Sequence, residues 1–189
     1  MCAGLTLPAG SVEMTELVLR ELTADDWGAL RELRLHALRT EPGLYFSSYA
    51  AEVDRDDASW IALATGDEAH QLFGLFDDGR LIAISGVFTD TRDATGGTAL
   101  FGMSYVLPNY RRRGLALRCY EARLAWARAR PHFDRAVVGH RRSNQATRRA
   151  IEHFGFRRTG DEPRRWHDGT EEDYVAYELP LPAGPLDNE

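Results

Sequence analysis

The run Arg111-Arg112-Arg113-Gly114-Leu115-Ala116 sets three guanidinium groups beside two positions with little or no side chain, where an apolar run gives way to a helical pattern. A helix N-terminus leaves backbone N–H groups without intrahelical partners, and these can point at an anion. Gly114 and Ala116 remove bulk where a diphosphate would approach the backbone, and the arginines add positive charge around it. The chemistry expected here is phosphate binding by backbone amides and arginine. The chain contains no lysine, which excludes a Walker-type phosphate loop and any Schiff-base or Ser-Lys chemistry.

The elements that must position this loop follow from periodicity. Ahead of it lies an apolar strand, Leu100 to Val106, and a bend at Leu107-Pro108-Asn109-Tyr110, so a ligand anchored at the helix could run its tail back along the strand edge. Behind it, Leu117, Tyr120, Leu124 and Ala127 repeat at helical spacing with Arg118, Glu121 and Arg128 opposite, until Pro131. Upstream, Glu16 to Glu21 reads as a strand, and Thr23-x-x-Asp26 starts a helix carrying Trp27, Leu30, Leu33 and Ala37. Residues 43–56 form a loop or broken helix, whose Leu44, Tyr45, Phe46 and Tyr49 either line a binding cleft or pack under a helix. Asp57 is expected to cap a helix running to Gly66. Strands 71–76 and 81–88 are joined by the hairpin signal Asp77-Asp78-Gly79-Arg80, and a polar turn at 90–97 leads back to the loop strand. Downstream come a strand from Arg135 to His140, a helix capped by Asn144 and closed by Gly155, a charged excursion at 160–169 and a strand from Asp173 to Leu179. The order is β-α-α-β-β-β-α-β-α-β-β.

At 189 residues, 43% hydrophobic and 28% charged, the chain suits one globular domain. It is expected over 16–180, between a flexible extension at 1–15 and a tail at 181–189. No apolar run approaches the ~18 residues of a membrane span, and the first residues lack the basic region of a signal peptide. With Cys2 and Cys119 as the only cysteines, no disulfide framework is implied and the cytoplasm is the expected compartment. The net charge is −6, yet arginines crowd the middle third; that balance favours a small polyphosphate over nucleic acid. The six histidines show no metal-ligand spacing, so no metal is expected.

Val106-x-Pro108-x-Tyr110 followed by Arg111-x-x-Gly114-x-Ala116 resembles the acetyl-CoA-binding motif of the GNAT N-acetyltransferase superfamily, and Asn144-x-x-Thr147 with Phe154-Gly155-Phe156 is similar to that family's later motif. The resemblance implies an α/β (α+β) fold: a mixed, mostly antiparallel sheet of about six or seven strands flanked by about four helices. It implies transfer of acetyl from acetyl-CoA to an amine, on a small molecule or a protein, by direct attack in a ternary complex. The strands before and after the phosphate loop would splay apart to admit the pantetheine. The acyl arm would then lie against Ser104, Tyr105 and Val106, and the diphosphate on the amides of Arg112, Arg113, Gly114, Leu115, Ala116 and Leu117 beside Arg111, with Asn144 near the pantetheine. A backbone N–H near Tyr105 or Val106 would polarise the thioester.

The catalytic acid and base depart from the family pattern. The position of the usual tyrosine is Ile151, and that of the glutamate base found in some members is Gly139. Attack requires a neutral amine and a protonated leaving thiol, so other groups must carry the protons. The candidates are His140, whose ring would face the splayed gap, then Tyr105, Ser104 and Tyr174. A non-enzymatic alternative is an acyl-CoA-binding sensor that does not turn over. The acceptor is left open: Glu162, Asp168, Glu171 and Glu172 would steer a cation, and a homodimer through strand or helix edges is an open alternative to a monomer.

Overall fold

The computed structural model describes residues 17–181; the expected extension at 1–15 and the tail from 182 onward lie outside them. Seven strands form one sheet in the order β1-β2-β3-β4-β5-β7-β6. They are β1 (Val18–Glu21), β2 (His70–Asp77), β3 (Arg80–Thr89), β4 (Thr98–Val106), β5 (Arg135–Arg141), β6 (Arg157–Glu162) and β7 (Tyr174–Pro180). Every neighbouring pair is antiparallel except β4 and β5. Five α-helices flank the sheet: α1 (Trp27–Thr40), α2 (Tyr49–Glu52), α3 (Asp57–Thr65), α4 (Leu115–Arg128) and α5 (Gln145–His153). The expected mostly antiparallel sheet of six or seven strands is present, with one more short helix than the pattern suggested.

Local chemistry accounts for the boundaries. The Thr23 amide donates to Asp26 Oδ2 at 2.8 Å, and a 3-10 turn at Ala24–Asp26 leads into α1. The cap of α3 is Asp56 rather than Asp57: its Oδ1 accepts from the Ser59 amide at 2.7 Å, and Asp57 becomes the first helical residue. The β2–β3 turn has positive φ at Asp78 (48°) and Gly79 (76°), the conformation a two-residue hairpin needs to match strand twist. Strand β6 starts at Arg157, so the charged segment from Gly160 is part strand and not wholly an excursion. The core also runs one residue past the expected domain edge, because Leu181 is buried and its amide bonds Asp134 O at 2.8 Å.

Each sheet face has its own core. On one, Leu30, Leu33 and Ala37 of α1 and Trp60 of α3 pack against Leu72 and Ile84. On the other, Tyr120 and Leu124 of α4 and Ile151 of α5 pack against Phe101, Val138 and Tyr177. A buried ion pair ties α1 to α2: Arg34 Nε and Nη2 meet the two oxygens of Glu52 at 3.1 and 2.7 Å.

Two irregularities shape the middle of the sheet. Between the pairs Gly86↔Gly102 and Ile84↔Tyr105, Ser85 of β3 stands opposite two residues of β4, Met103 and Ser104. This is a β-bulge with Met103 at φ 50°, and it shifts the side-chain alternation of β4 by one. Beyond its start, β4 also leaves β5: their parallel pairing covers only Thr98–Leu100 with Arg135–Val137. Beyond these residues the two strands are no longer hydrogen-bonded to each other, and they part into a gap.

Candidate active site

The phosphate-loop residues lie at the mouth of this gap. A short turn, Pro108–Tyr110, carries the chain from β4 to α4, and the Tyr110 hydroxyl anchors it by donating to Asp77 Oδ2 at 2.5 Å. Arg112 (φ 61°) and Gly114 (φ 74°) both take the left-handed conformation. Such alternation curls successive amides into a concave, anion-binding turn. No acceptor among the described residues takes the amides of Arg112, Arg113, Gly114, Leu115 or Ala116. A Cβ added to Gly114 would meet no atom within 4 Å, so the space before the helix is open. Leu115 is buried against Leu75, Ile82 and Ala83 and fixes α4 to the sheet, while Arg112, Arg113 and Ala116 are exposed.

Arg111 does something other than flank the cradle. Its Nε donates to Val106 O at 2.9 Å, and Nη2 pairs with Glu41. The guanidinium therefore belts the end of β4 to the end of α1. Asn144 caps α5, its Oδ1 accepting from the Thr147 amide at 3.2 Å, and its Nδ2 has no hydrogen bond among the described residues.

The bulge distributes the strand residues over both faces. Ser104 faces α4: its exposed hydroxyl lies 3.3 Å from Ser85 Oγ and accepts from Arg123 Nη1 at 3.1 Å. Tyr105 turns to the opposite face, packs in the α1 core and meets His36 edge-on. The buried Tyr105 hydroxyl has no hydrogen-bond partner among the described residues.

His140 occupies a packed place rather than the gap. The ring stacks on Tyr177 of β7, the neighbour of β5 on the side away from β4. Nδ1 lies 2.7 Å from Arg141 O and Nε2 3.3 Å from the Tyr177 hydroxyl. Burial pushes its pKa down, against the bond to the Arg141 carbonyl. The face of Gly139, where a glutamate would stand, is filled by the Tyr174 ring, which a Cβ would meet at 2.1 Å. Burial raises the Tyr174 hydroxyl.

Across β5 from Tyr177, Arg141 staples two loops over the sheet. It pairs with Glu172, donates to Asp168 Oδ2 at 2.5 Å and to Thr170 Oγ1 at 2.7 Å, and reaches Gly43 O at 3.3 Å. His167 Nε2 lies 3.0 Å from Phe46 O. Arg141 thus offsets one of the two negative charges of Asp168 and Glu172, which weakens the expected steering of a cation. The hydrogen bond from Thr170, then that from Arg141, holds the Asp168 carboxyl at about 2. On the outer surface of these loops Phe46, 48% exposed, packs against Tyr174 at 4.8 Å between ring centroids and lies under Arg164 at 3.8 Å. The aromatic residues of the α1–α2 loop divide accordingly: Phe46 lines an open wall and Tyr45 is half-buried, its hydroxyl 3.4 Å from Ser104 O.

Two arginines central to this geometry escaped the sequence pattern. Arg123 lies three residues after Tyr120 and one before Leu124, inside the buried stripe of α4, and a charge in that stripe was a usable signal. Arg141 carries no such signal, because its partners come from sequence-distant loops.

A family model described as the acetyltransferase (GNAT) family matches residues 27–156, and the chain belongs to that family. The fold is similar to that of a GNAT-family acetyltransferase from Streptococcus pneumoniae, at 18% identity over 88% of this chain and 99% of that one, with a TM-score of 0.76. YncA of Salmonella typhimurium, solved with its cofactor acetyl-CoA, gives 18% identity, 92% and 98% coverage and a TM-score of 0.76. RimL, an alpha-N-protein acetyltransferase of a ribosomal protein solved in complex with coenzyme A, gives 15%, 90%, 97% and 0.71. No curated protein matches by sequence. Among the described residues no cluster of three or more His, Cys, Asp or Glu could hold a metal ion, and no helix is long and apolar enough to cross a membrane.

Proposed function

We propose that the protein is an N-acetyltransferase that moves the acetyl group of acetyl-CoA to an amine of a small molecule or a protein, by direct attack in a ternary complex. The observation that carries the reading is the coincidence of an open amide cradle at 112–116 with a strand gap that begins where β4 leaves β5. Relatives of the same fold solved with acetyl-CoA or coenzyme A support it. The diphosphate is assigned to the amides of Arg112 to Ala116, with Arg112 and Arg113 adding charge, and the acyl arm to the edge formed by Ser104, Tyr105 and Val106; the Leu117 amide, also expected in the cradle, is taken by Gly114 O at 3.0 Å, the first bond of α4. Val106 O is already engaged by Arg111, so Arg111 shapes the edge and does not bind phosphate. Tyr105 faces the acceptor side, and the exposed Ser104 hydroxyl faces the side where the thiol leaves. With His140 held by Tyr177, the ammonium proton passes to water; Tyr174 beside Gly139, its phenol kept protonated by burial, is not the base.

The test is titration of the purified protein with acetyl-CoA and coenzyme A, followed on the same sample by thiol release against a panel of amines, with Gly114→Trp as the blocked-cradle control. Binding that Gly114→Trp abolishes, with amine-dependent thiol release, is the expected result. Binding with no release on any amine would turn the assignment to the acyl-CoA sensor, and absence of binding would refute the cradle.

A further inference from the structure

Arg123 presents a physical problem that the fold alone does not solve. It is 1% exposed, and no ion pair with a carboxylate is formed by it among the described residues. Nη1 donates to Ser104 Oγ at 3.1 Å and Nε reaches Cys119 O at 3.4 Å, but Nη2 has no hydrogen-bond partner among the described residues. The guanidinium lies over Phe101 at 4.6 Å and Tyr120 at 4.1 Å, contacts that soften the loss of water without neutralising the charge. Buried charges are ordinarily paired, because an unpaired one costs several kcal/mol. The titratable groups whose fields reach it are Cys119 and Tyr120; burial raises both and keeps them neutral. Ser85 and Ser104, from β3 and β4, bring no charge. Its partner Ser104 is an exposed residue, and the Ser104 hydroxyl donates no more than a long bond of 3.5 Å to Gly102 O.

We propose that Arg123, acting through Ser104, forms a thiolate site: the buried cation awaits the negative charge that develops on the coenzyme sulfur. The inference rests on the reading of the gap as the donor channel and gives the leaving-group side of that reaction a residue. The amine nitrogen bonds to the acetyl carbon, and the carbon–sulfur bond breaks with its electron pair on sulfur. Ser104 donates its hydroxyl hydrogen bond to that sulfur while Arg123 donates to Ser104. The proton shed by the new amide nitrogen goes to water and is returned to the thiolate from water. Ser104 touches the reacting atom and is the catalytic residue; Arg123 is a positioning residue whose charge makes the hydroxyl a stronger donor. This supplies electrostatically what the tyrosine absent at Ile151 would supply as an acid.

The consequence is measurable without an acceptor. Coenzyme A bound to the protein is titrated with base while the ultraviolet absorbance of its thiolate is followed, and desulfo-coenzyme A serves as a binding control. The bound thiol is expected to titrate at least about one unit below the free coenzyme, a tenfold gain in acidity. Ser104→Ala and Arg123→Met should each return it to the free value or above, Arg123→Lys should keep part of the shift, and desulfo-coenzyme A should bind all four proteins alike. A bound thiol that titrates with the free coenzyme in the unaltered protein overturns the proposal even if Arg123→Met does not fold. A shift retained in both Ser104→Ala and Arg123→Met overturns it as well. Failure of desulfo-coenzyme A to bind would instead overturn the donor-channel reading, so the two failures are distinguishable.

Discussion

Gly114 and Gly155 permit a comparison that separates the fold from the site. Both have positive φ, 74° and 81°, and at both an added Cβ would meet nothing within 4 Å. Alanine at either position therefore carries the same penalty, the strain of an L-residue in left-handed backbone, about 1–2 kcal/mol. Gly155 closes α5, outside the amide cradle, whereas Gly114 opens α4 in the middle of it. Urea unfolding without ligand should show both variants less stable by that amount. At acetyl-CoA about 100 times the dissociation constant of the unaltered protein, ligand binding should add about 2.7 kcal/mol to that protein and to Gly155→Ala. For Gly114→Ala, a tenfold weaker complex reduces the addition to about 1.4 kcal/mol, and stronger obstruction reduces it further. The reasoning is refuted if Gly114→Ala gains the full stabilisation, or if Gly155→Ala loses as much of it.

Three further expectations follow from the contacts. Glu52→Ala strands the buried Arg34 guanidinium and should cost about 3–5 kcal/mol in urea unfolding, most of which the apolar pair Arg34→Met with Glu52→Leu should recover. Gly139→Ala should destabilise by about 1–3 kcal/mol through overpacking against the Tyr174 ring, and a cycle with Tyr174→Ala should show a coupling that relieves this penalty. Asp26, Asp93 and Asp168 are each held at about 2, chiefly by hydrogen bonds from Arg20, Thr98 and Thr170 respectively. Folded-state values lowered from 3.8 mean stability that is complete above pH 4 and is lost as pH falls toward 2. Asp93→Asn should therefore flatten the acid limb of a stability–pH curve, and an unchanged slope would show that the Thr98 and Arg135 contacts do not form.

What could be read from the chain was what short-range chemistry controls. The Arg111-x-x-Gly114-x-Ala116 run, the Asn144 cap and the Asp78-Gly79 turn depend on residues within one or two turns of each other, and all stand where expected. The fate of His140 depended on which face of β5 it took and on Tyr177, 37 residues away; no periodicity in a seven-residue strand fixes that. Asp168 and Glu172 read as charges that would steer a cation, and the fold delivers Arg141 between them. Arg111 belonged to a recognised motif, yet its side chain is claimed by Glu41, which lies 70 residues earlier. Motif residues announce a backbone shape more reliably than they announce where a long side chain will point.

The bulge in β4 is the step that joins these observations into chemistry. In an unbroken strand, residues 101, 103 and 105 would share one face, and Tyr105 would follow Phe101 onto α4. The extra residue at Met103 instead brings Ser104 onto the face of Phe101, where Arg123 waits, and sends Tyr105 to the face of α1 and His36. The same displacement occurs where β4 loses its pairing with β5, so both side chains lie beside an open edge. One inserted residue thus gives opposite faces of the gap different tasks: a hydroxyl backed by a buried cation on one, and a buried phenol among the α1 side chains on the other. A thioester entering along this edge would meet the cation on its sulfur side while the face of Tyr105 is left for the amine. That division needs neither the tyrosine replaced by Ile151 nor the glutamate replaced by Gly139.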